Sequence, residues 1–302
     1  MRKLRVGIST CPNDTFAFHA LIERKVVARD LKFEFVLLDV QALNDALSAG
    51  EFDIAKASFH AALLLSDRMV VLPVGAAVGF GAGPLLLRAA QTTRTLARRG
   101  TTELRGAPRS ARNDTAQVPW PRVLCPGAST TATLLFKMFF AYEPEPEHVV
   151  FSSILPTLAR GEADFGVCIH EGRFTYSEYG LECVADLGSL WEIETQSPLP
   201  LGGLLARRAL EPTTLDAVTC AIRESLDYAT HHRAETFQTM KRYAQELEES
   251  VIWAHVDLYV SAWTRELGEV GRRALAVLSA RARATGIVPD ALPQLEVWNC
   301  DR

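Results

Sequence analysis

The stretch LRVGISTCPNDTFAFHAL, residues 4–21, decides the fold class because its pattern changes halfway along. Its first five residues are mostly apolar and form a run of strand length, and turn-forming residues follow at once. Apolar side chains then return with helical spacing from Phe16 onward. Asn13 or Asp14 stands where a side chain can cap the start of that helix. The stretch therefore predicts a strand, a turn and a helix in succession.

Outward from this unit, short apolar runs alternate with helical patterns along most of the chain. The predicted strands lie at 33–38, 53–57, 69–74, 84–87, 122–125, 148–151, 164–169 and 201–206, with one more around Val184. From Thr213 onward the pattern is helical. Strands that alternate with helices are typical of βαβ units, so we predict an α/β protein with largely parallel sheets.

Residues 89–120 interrupt this alternation, because they are rich in Arg, Thr and Ala and poor in large apolar side chains. We interpret them as a solvated insertion or mobile loop, with a basic lid over an anionic ligand as the alternative. The remaining pattern predicts two α/β lobes. Residues 1–88 plus 196–302 form a large lobe with C-terminal helices, and 89–195 form a small lobe that carries the insertion. Ligands in such folds bind at carboxyl ends of strands and in a cleft between lobes.

Composition and charge exclude several classes of protein. The chain has 302 residues with 48% apolar and 23% charged side chains, as in ordinary soluble proteins. A net charge of −4 implies no general attraction to nucleic acid or membrane. The start of the sequence, MRKLRVGIST, leads directly into a strand pattern and argues against a secretory signal. No apolar run approaches the roughly 20 residues that span a bilayer. The six cysteines are scattered without a CxxC pair. We therefore expect a cytoplasmic protein with reduced thiols and a small-molecule substrate, either monomeric or homodimeric.

Three junctions between predicted strands and helices are rich in polar residues: 9–15, 56–58 and 127–132. The N-terminus of a helix exposes unpaired N–H groups and a positive dipole end, which suit a carboxylate or phosphate. One such junction is explained by ordinary helix capping. Three of them at carboxyl ends of strands favour a shared anion site.

Two side chains at these strand ends are candidates for chemistry. Lys56 follows an apolar strand, so its ammonium group is a candidate partner for a substrate carboxylate, and a solvated surface lysine is the alternative. His170 follows the apolar run 165–169 directly. An imidazole there suits proton transfer near neutral pH, and a structural histidine is the alternative.

Motifs for metals and cofactors are missing from the sequence. No histidine cluster has metal-ligand spacing, and HExxH does not occur. The glycines between Gly75 and Gly83 form neither a dinucleotide-binding nor a P-loop motif, and a GxSxG elbow is absent. We therefore expect neither a metal site nor a cofactor.

Seven stretches together resemble the 1,4-dihydroxy-6-naphthoate synthase family of the futalosine pathway to menaquinone. In chain order they are STCPNDTF at 9–16, KASFH at 56–60, GPLL at 83–86, PGASTTA at 126–132, IHEGRFTY at 169–176, PLPLG at 198–202 and VIWAHV at 251–256. CPNDTF and IHEGRFTY are the most specific of them. The chain departs from the family in its insertion at 89–120, where the family has a much shorter connection, and at Thr10, where the family has proline.

The resemblance implies a two-lobed fold like that of the type II periplasmic binding proteins, used here as an enzyme. It implies a lyase that converts cyclic dehypoxanthine futalosine to 1,4-dihydroxy-6-naphthoate. By position, His170 is similar to the family's proton acceptor. Lys56, Ala57 and Ser58 correspond to one substrate-contacting edge, and Thr131 with Ala132 to the opposite edge.

Two other functions remain open at this point. A non-catalytic protein that binds an anionic solute would use the same fold and junctions, although the missing export signal and the histidine at the strand end argue against it. A chorismate dehydratase of the same pathway shares the fold, and IHEGRFTY favours the synthase over it.

Overall fold

The computed structural model describes residues 2–28, 30–90, 121–140, 145–244 and 248–300. Most of the predicted insertion, residues 91–120, lies outside the described residues, so its interpretation stays a prediction. The chain divides into two compact units. The first unit comprises Met1–Ala82, Ser129–Thr131 and Ser197–Arg302, and the second unit comprises Gly83–Ala128 and Ala132–Gln196. The predicted lobes, 1–88 plus 196–302 and 89–195, likewise stay a prediction.

A mixed sheet forms the centre of the first unit. Within the described residues its strands are β1 (Arg2–Ser9), β2 (Leu31–Leu38), β3 (Ile54–Ser58), β4 (Met69–Val71), β5 (Ala77–Gly79) and β11 (Leu199–Arg207). The strand order is β2-β1-β3-β11-β4, and β5 also pairs with β11. β1 runs parallel to β2 and β3, whereas β11 is antiparallel to β3, β4 and β5. The parallel part places the carboxyl ends of β1 and β3 at one edge.

The second unit has its own sheet, again mixed. Its strands in the described part of the chain are β6 (Leu85–Ala89), β7 (Val123–Cys125), β8 (Glu147–His148), β9 (Phe165–Cys168) and β10 (Leu181–Asp186), in the order β10-β6-β9-β7-β8. β7 is parallel to β8 and β9, and β6 is antiparallel to β9 and β10. The carboxyl ends of β7, β8 and β9 therefore share one edge of this sheet.

Helices connect and cover the strands. They are α1 (Pro12–Ile22), α2 (Val40–Ser48), α3 (Phe59–Leu64), α4 (Thr131–Phe139), α5 (Ile154–Ala159), α6 (Gly172–Thr175), α7 (Leu187–Thr195), α8 (Pro212–His231), α9 (Arg233–Tyr243), α10 (Glu249–Tyr259), α11 (Ala262–Arg265) and α12 (Gly268–Ala284). Short 3₁₀ turns occupy Phe151–Ser153 and Tyr176–Tyr179. In the described part of the chain, none of the helices combines the length and apolarity needed to span a bilayer.

Each unit has an apolar core that its own elements supply. In the first unit, α1 lies between the sheet and the C-terminal helices α8, α9 and α10, so residues on every side of it are buried. In the second unit, residues of β6, β7 and β9 pack against α5. Burial on this scale is the main term that stabilises such units.

The structure differs from the sequence-based predictions in strand direction, in one strand boundary and in one helix cap. The sheets are mixed rather than largely parallel, because β11 and β6 run against their neighbours. The predicted strand at 148–151 is limited to β8, and a 3₁₀ turn replaces its end. Helix α1 starts at Pro12 with Cys11 as its N-cap and no capping side chain, so neither Asn13 nor Asp14 caps it.

Candidate functional site

The carboxyl ends of β1 and β3 hold a buried ion pair. Lys56, in β3, is 7% exposed, and its Nζ lies 2.6 Å from Oδ1 of Asp14, which is 2% exposed. Lys56 also donates to the carbonyl oxygen of Gly75 at 2.9 Å. An ammonium group has three N–H donors, so two of them are used within the first unit. The alternative of a solvated surface lysine is therefore wrong.

Asp14 is held in this position by further donors. Its Oδ2 accepts the Ser9 hydroxyl at 2.7 Å and the Ser9 N–H at 3.3 Å, and its Oδ1 accepts from Nδ2 of Asn13 at 3.0 Å. A buried carboxylate needs such partners, because burial without them costs several kcal/mol. From the sequence, Asp14 was predicted as a candidate helix cap and as part of the polar junction 9–15, not as the partner of Lys56. One feature of the sequence could have indicated this role. A lysine that follows an apolar strand needs an acidic partner if it is buried, and Asp14 follows the neighbouring strand.

Ser58 ends β3 and precedes α3, and an amide side chain holds it. Asn44, on α2, accepts the Ser58 N–H through Oδ1 at 3.0 Å and donates through Nδ2 to Ser58 Oγ at 3.2 Å. The same Nδ2 lies 3.4 Å from the carbonyl oxygen of Ser129. Ser58 makes no side-chain cap bond to α3. Its hydroxyl hydrogen has no acceptor among the described residues, so this group can donate to a ligand. Asn44 was not among the residues predicted from the sequence.

Ala57 lies between Lys56 and Ser58 in β3. It is 1% exposed and pairs with Gly203 of β11. The neighbouring Gly202 has no room for a side chain, since a Cβ there would lie 2.7 Å from the Ala57 carbonyl oxygen. Close backbone packing thus fixes the position of the 56–58 segment.

Thr131 and Ala132 open helix α4, where the first N–H groups have no acceptor within the helix. The Thr131 hydroxyl donates to the Leu201 carbonyl oxygen at 2.6 Å and lies 3.4 Å from the His60 N–H. Thr131 belongs to the first unit and Ala132 to the second. Because its hydroxyl hydrogen is engaged with Leu201, the Thr131 side chain has no further donor.

His170 lies just beyond β9, at the carboxyl edge of the second sheet, as the sequence predicted. Its φ is +55°, a left-handed conformation that is uncommon for a residue with a side chain. The ring of Phe151 meets the His170 ring edge-on at 4.9 Å between centroids. Phe151 follows β8, whose carboxyl end shares this edge. Backbone strain of this kind costs on the order of 1–3 kcal/mol and persists where the surroundings hold it.

The structure thus assigns the predicted site residues to two groups. Four of them belong to the first unit: Lys56, Ala57, Ser58 and Thr131. In this unit, hydrogen bonds from Asn44 and His60 connect the segment around Ser58 with the start of α4. Ala132 and His170 belong to the second unit. The roles of all six residues stay predictions.

A metal site needs several ligating side chains close together. In the ranges that the structure describes, no three His, Cys, Asp or Glu side chains gather in a way that could hold an ion. Of the six predicted site residues, Ser58 and His170 carry a hydroxyl and an imidazole, and Thr131 and Ala132 contribute the backbone N–H groups that open α4.

Comparison with known proteins extends over nearly the whole chain. Residues 4–284 match the family model described as "Menaquinone biosynthesis". A Thermus thermophilus protein named 1,4-dihydroxy-6-naphtoate synthase is 42% identical over 287 residues, which cover 95% of this chain and 96% of that one. A Streptomyces coelicolor protein of the same name is 35% identical over 292 residues and 95% of each chain.

The fold also occurs in solute-binding proteins. The alkanesulfonate-binding protein SsuA of Xanthomonas axonopodis pv. citri superposes with a TM-score of 0.67 at 14% identity, over 98% of both chains. This confirms the predicted periplasmic-binding-protein type of fold, and at this identity it concerns the fold alone. With the family match over residues 4–284 and the two named relatives, the chain belongs to the menaquinone-biosynthesis family and is an enzyme of that pathway.

Proposed function

We propose that this enzyme is a carbon–carbon lyase that converts cyclic dehypoxanthine futalosine to 1,4-dihydroxy-6-naphthoate, with His170 as the general base. Both named relatives carry the name of this synthase. The observation that carries the proposal is the position of His170, beyond β9 at the carboxyl edge of its sheet and in a left-handed backbone conformation. Ligands of open α/β sheets bind at this edge.

The proposed reaction begins when the imidazole of His170 removes a proton beside a carbonyl group of the substrate. Negative charge then develops on the carbonyl oxygen, as in an enolate. The sugar-derived fragment leaves as the bicyclic ring becomes aromatic. Imidazole is the side chain whose proton affinity best matches a base working near pH 7. Because aromatisation supplies the driving force, this sequence of steps uses neither a redox cofactor nor a metal.

In this proposal, polar groups of the predicted edges bind the substrate and its developing charge. The Ser58 hydroxyl is a donor without an acceptor among the described residues, and Asn44 fixes its orientation. The backbone N–H groups of Thr131 and Ala132 point out of the helix start, where the helix dipole favours negative charge. Lys56 contributes less positive charge than expected, because Asp14 pairs with it.

The first experiment measures turnover of purified cyclic dehypoxanthine futalosine by His170→Ala and His170→Asn. General-base catalysis typically contributes about 10²–10⁴-fold, so both variants should lose that factor in kcat while binding substrate in calorimetry. His231→Ala is the control, because His231 is exposed and bonds its ring to the Asp227 carbonyl oxygen. Turnover of His170→Ala near the wild-type rate would refute the role of this residue.

The same preparation tests the two other functions. Mass spectrometry of products from the futalosine derivative and from chorismate, in separate incubations, distinguishes a synthase from a dehydratase. A protein that binds either compound without changing it would be a solute-binding protein. The proposal predicts 1,4-dihydroxy-6-naphthoate from the first incubation and unchanged chorismate from the second.

A further inference from the structure

The loop that carries His170 is tied to the start of another strand through Arg173. This arginine lies on α6, three residues after His170, and its N–H lies 3.3 Å from the His170 carbonyl oxygen. Its Nη1 donates to the Gly83 carbonyl oxygen at 2.6 Å, and its Nη2 donates to Oδ2 of Asp186 at 2.7 Å. One side chain thus joins α6, the residues before β6 and the end of β10.

The acceptors of Arg173 are themselves firmly held. The other oxygen of Asp186, Oδ1, accepts the Ser189 N–H at 3.0 Å and caps helix α7. A Cβ on Gly83 would lie 2.2 Å from the Cα of Gly188, so the two backbones are in direct contact. The Arg173 and Asp186 side chains are only 19% and 23% exposed. The guanidinium therefore binds to a rigid junction rather than to a mobile surface group.

The loop between β9 and α6 is tightly packed. A Cβ at Gly172 would lie 2.5 Å from the Cys168 sulfur, so α6 packs tightly against the end of β9. The left-handed backbone of His170 lies between these two elements and needs support from both sides. Phe151 contacts one side of the ring, and the anchored α6 restrains the other end of the loop.

We infer that Arg173, with Asp186 as its partner, is a positioning residue that holds the His170 imidazole in the orientation needed for proton abstraction. The inference rests on the proposed function. Arginine suits this task because its planar fork reaches a carbonyl and a carboxylate at once, whereas lysine provides a single ammonium. A displacement of about 1 Å at a reacting group can cost about 10²-fold in rate.

The test compares Arg173→Met, Arg173→Lys and Asp186→Asn with wild type in steady-state turnover of cyclic dehypoxanthine futalosine. Each assay runs well below the melting temperature of the variant concerned. Arg173→Met and Asp186→Asn should lose about 10–100-fold in kcat with KM within about threefold, because the base is displaced while binding groups remain. Arg173→Lys should fall between these variants and wild type. Methylguanidinium added to Arg173→Met should restore part of kcat by bridging the same two oxygens.

Arg88→Met is the matched control. Arg88 joins the same two strands through Glu182, with Nη2 at 2.9 Å from Oε2, near the end of β6 that is opposite to Gly83. It should leave kcat unchanged. The inference is overturned if Arg173→Met keeps kcat within twofold, or if Arg88→Met loses as much as Arg173→Met. If His170→Ala loses turnover and Arg173→Met does not, only the positioning role fails. If His170→Ala keeps turnover, the proposed base and its positioning both fail.

Discussion

At the scale of single residues, the pair Lys56–Asp14 is a demanding arrangement because both of its charges are buried. Both side chains are almost fully buried, and Asp14 accepts three further hydrogen bonds from Ser9 and Asn13. Desolvation makes burial of two charges expensive, so such a pair persists only when geometry and hydrogen bonding are good. Removal of one partner leaves the other as a buried charge without its counter-charge, which is strongly destabilising.

Lys56→Met should therefore destabilise the protein by about 3–5 kcal/mol in urea unfolding. Lys56→Met combined with Asp14→Asn should be less destabilised than Lys56→Met alone, because the remaining partner is then neutral. Lys3→Met is the control. Lys3 pairs with Glu34 at 3.4 Å in an exposed position, where such pairs contribute about 0–1 kcal/mol. Equal losses for Lys56→Met and Lys3→Met would contradict the stabilising role of the buried pair.

At the scale of elements, helix α1 is buried by the sheet on one side and by the C-terminal helices on the other. His19 lies within it, 2% exposed, with Nδ1 2.9 Å from the Thr239 hydroxyl on α9. Its Nε2 has no hydrogen-bond partner among the described residues. Burial lowers the pKa of His19 below its usual 6.5, although Glu23 and Glu235 act in the opposite direction. The packing of α1 against α9 thus favours the neutral ring.

This burial makes stability depend on pH. In the unfolded chain the imidazole takes up a proton near pH 6.5, whereas the folded protein does so only at lower pH because its pKa is lowered. The neutral, buried His19 ring therefore contributes fully to the free energy of unfolding above pH 6.5. This contribution is lost as the pH falls through the lower pKa of the folded protein. Urea unfolding between pH 7.5 and 5.5 should show stability falling, and His19→Gln should flatten that slope. His231→Gln, at an exposed site, should not. An unchanged slope in His19→Gln would rule out this source of pH dependence.

At the scale of the whole molecule, burial sorts the six cysteines into three classes. Three are buried, two are exposed and one is partly buried: Cys11, Cys125 and Cys168, then Cys183 and Cys220, then Cys300. Burial raises the pKa of Cys125 and of Cys168 to about 12. Thiols react as thiolates, so these two are both inaccessible and protonated in the folded protein.

Labelling with a thiol-specific disulfide reagent at pH 8 should therefore modify Cys183 and Cys220 first and Cys300 more slowly. The buried thiols, Cys125 and Cys168 among them, should react at the rate of unfolding, and all six should react rapidly in urea. Peptide mapping by mass spectrometry identifies the labelled positions. Rapid labelling of Cys125 or Cys168 in the native protein would mean that the second unit opens far more readily than its core packing implies.

Local patterns were sufficient for the strand–helix alternation, the family and the position of His170 at a strand end. These depend on neighbours in the chain: apolar periodicity for β1 and α1, and specific motifs such as CPNDTF and IHEGRFTY. Family membership in turn implied the fold type, since related sequences keep their fold.

Only the tertiary structure decided which groups meet across long stretches of chain. Asp14 and Lys56 are 42 residues apart, and Arg173 reaches Gly83 across 90 residues. β11 enters its sheet antiparallel, which no local pattern signals because a strand's own residues do not record the direction of its neighbours. Burial then sets charge and reactivity at these places, and burial is a property of the packed chain rather than of any segment of it.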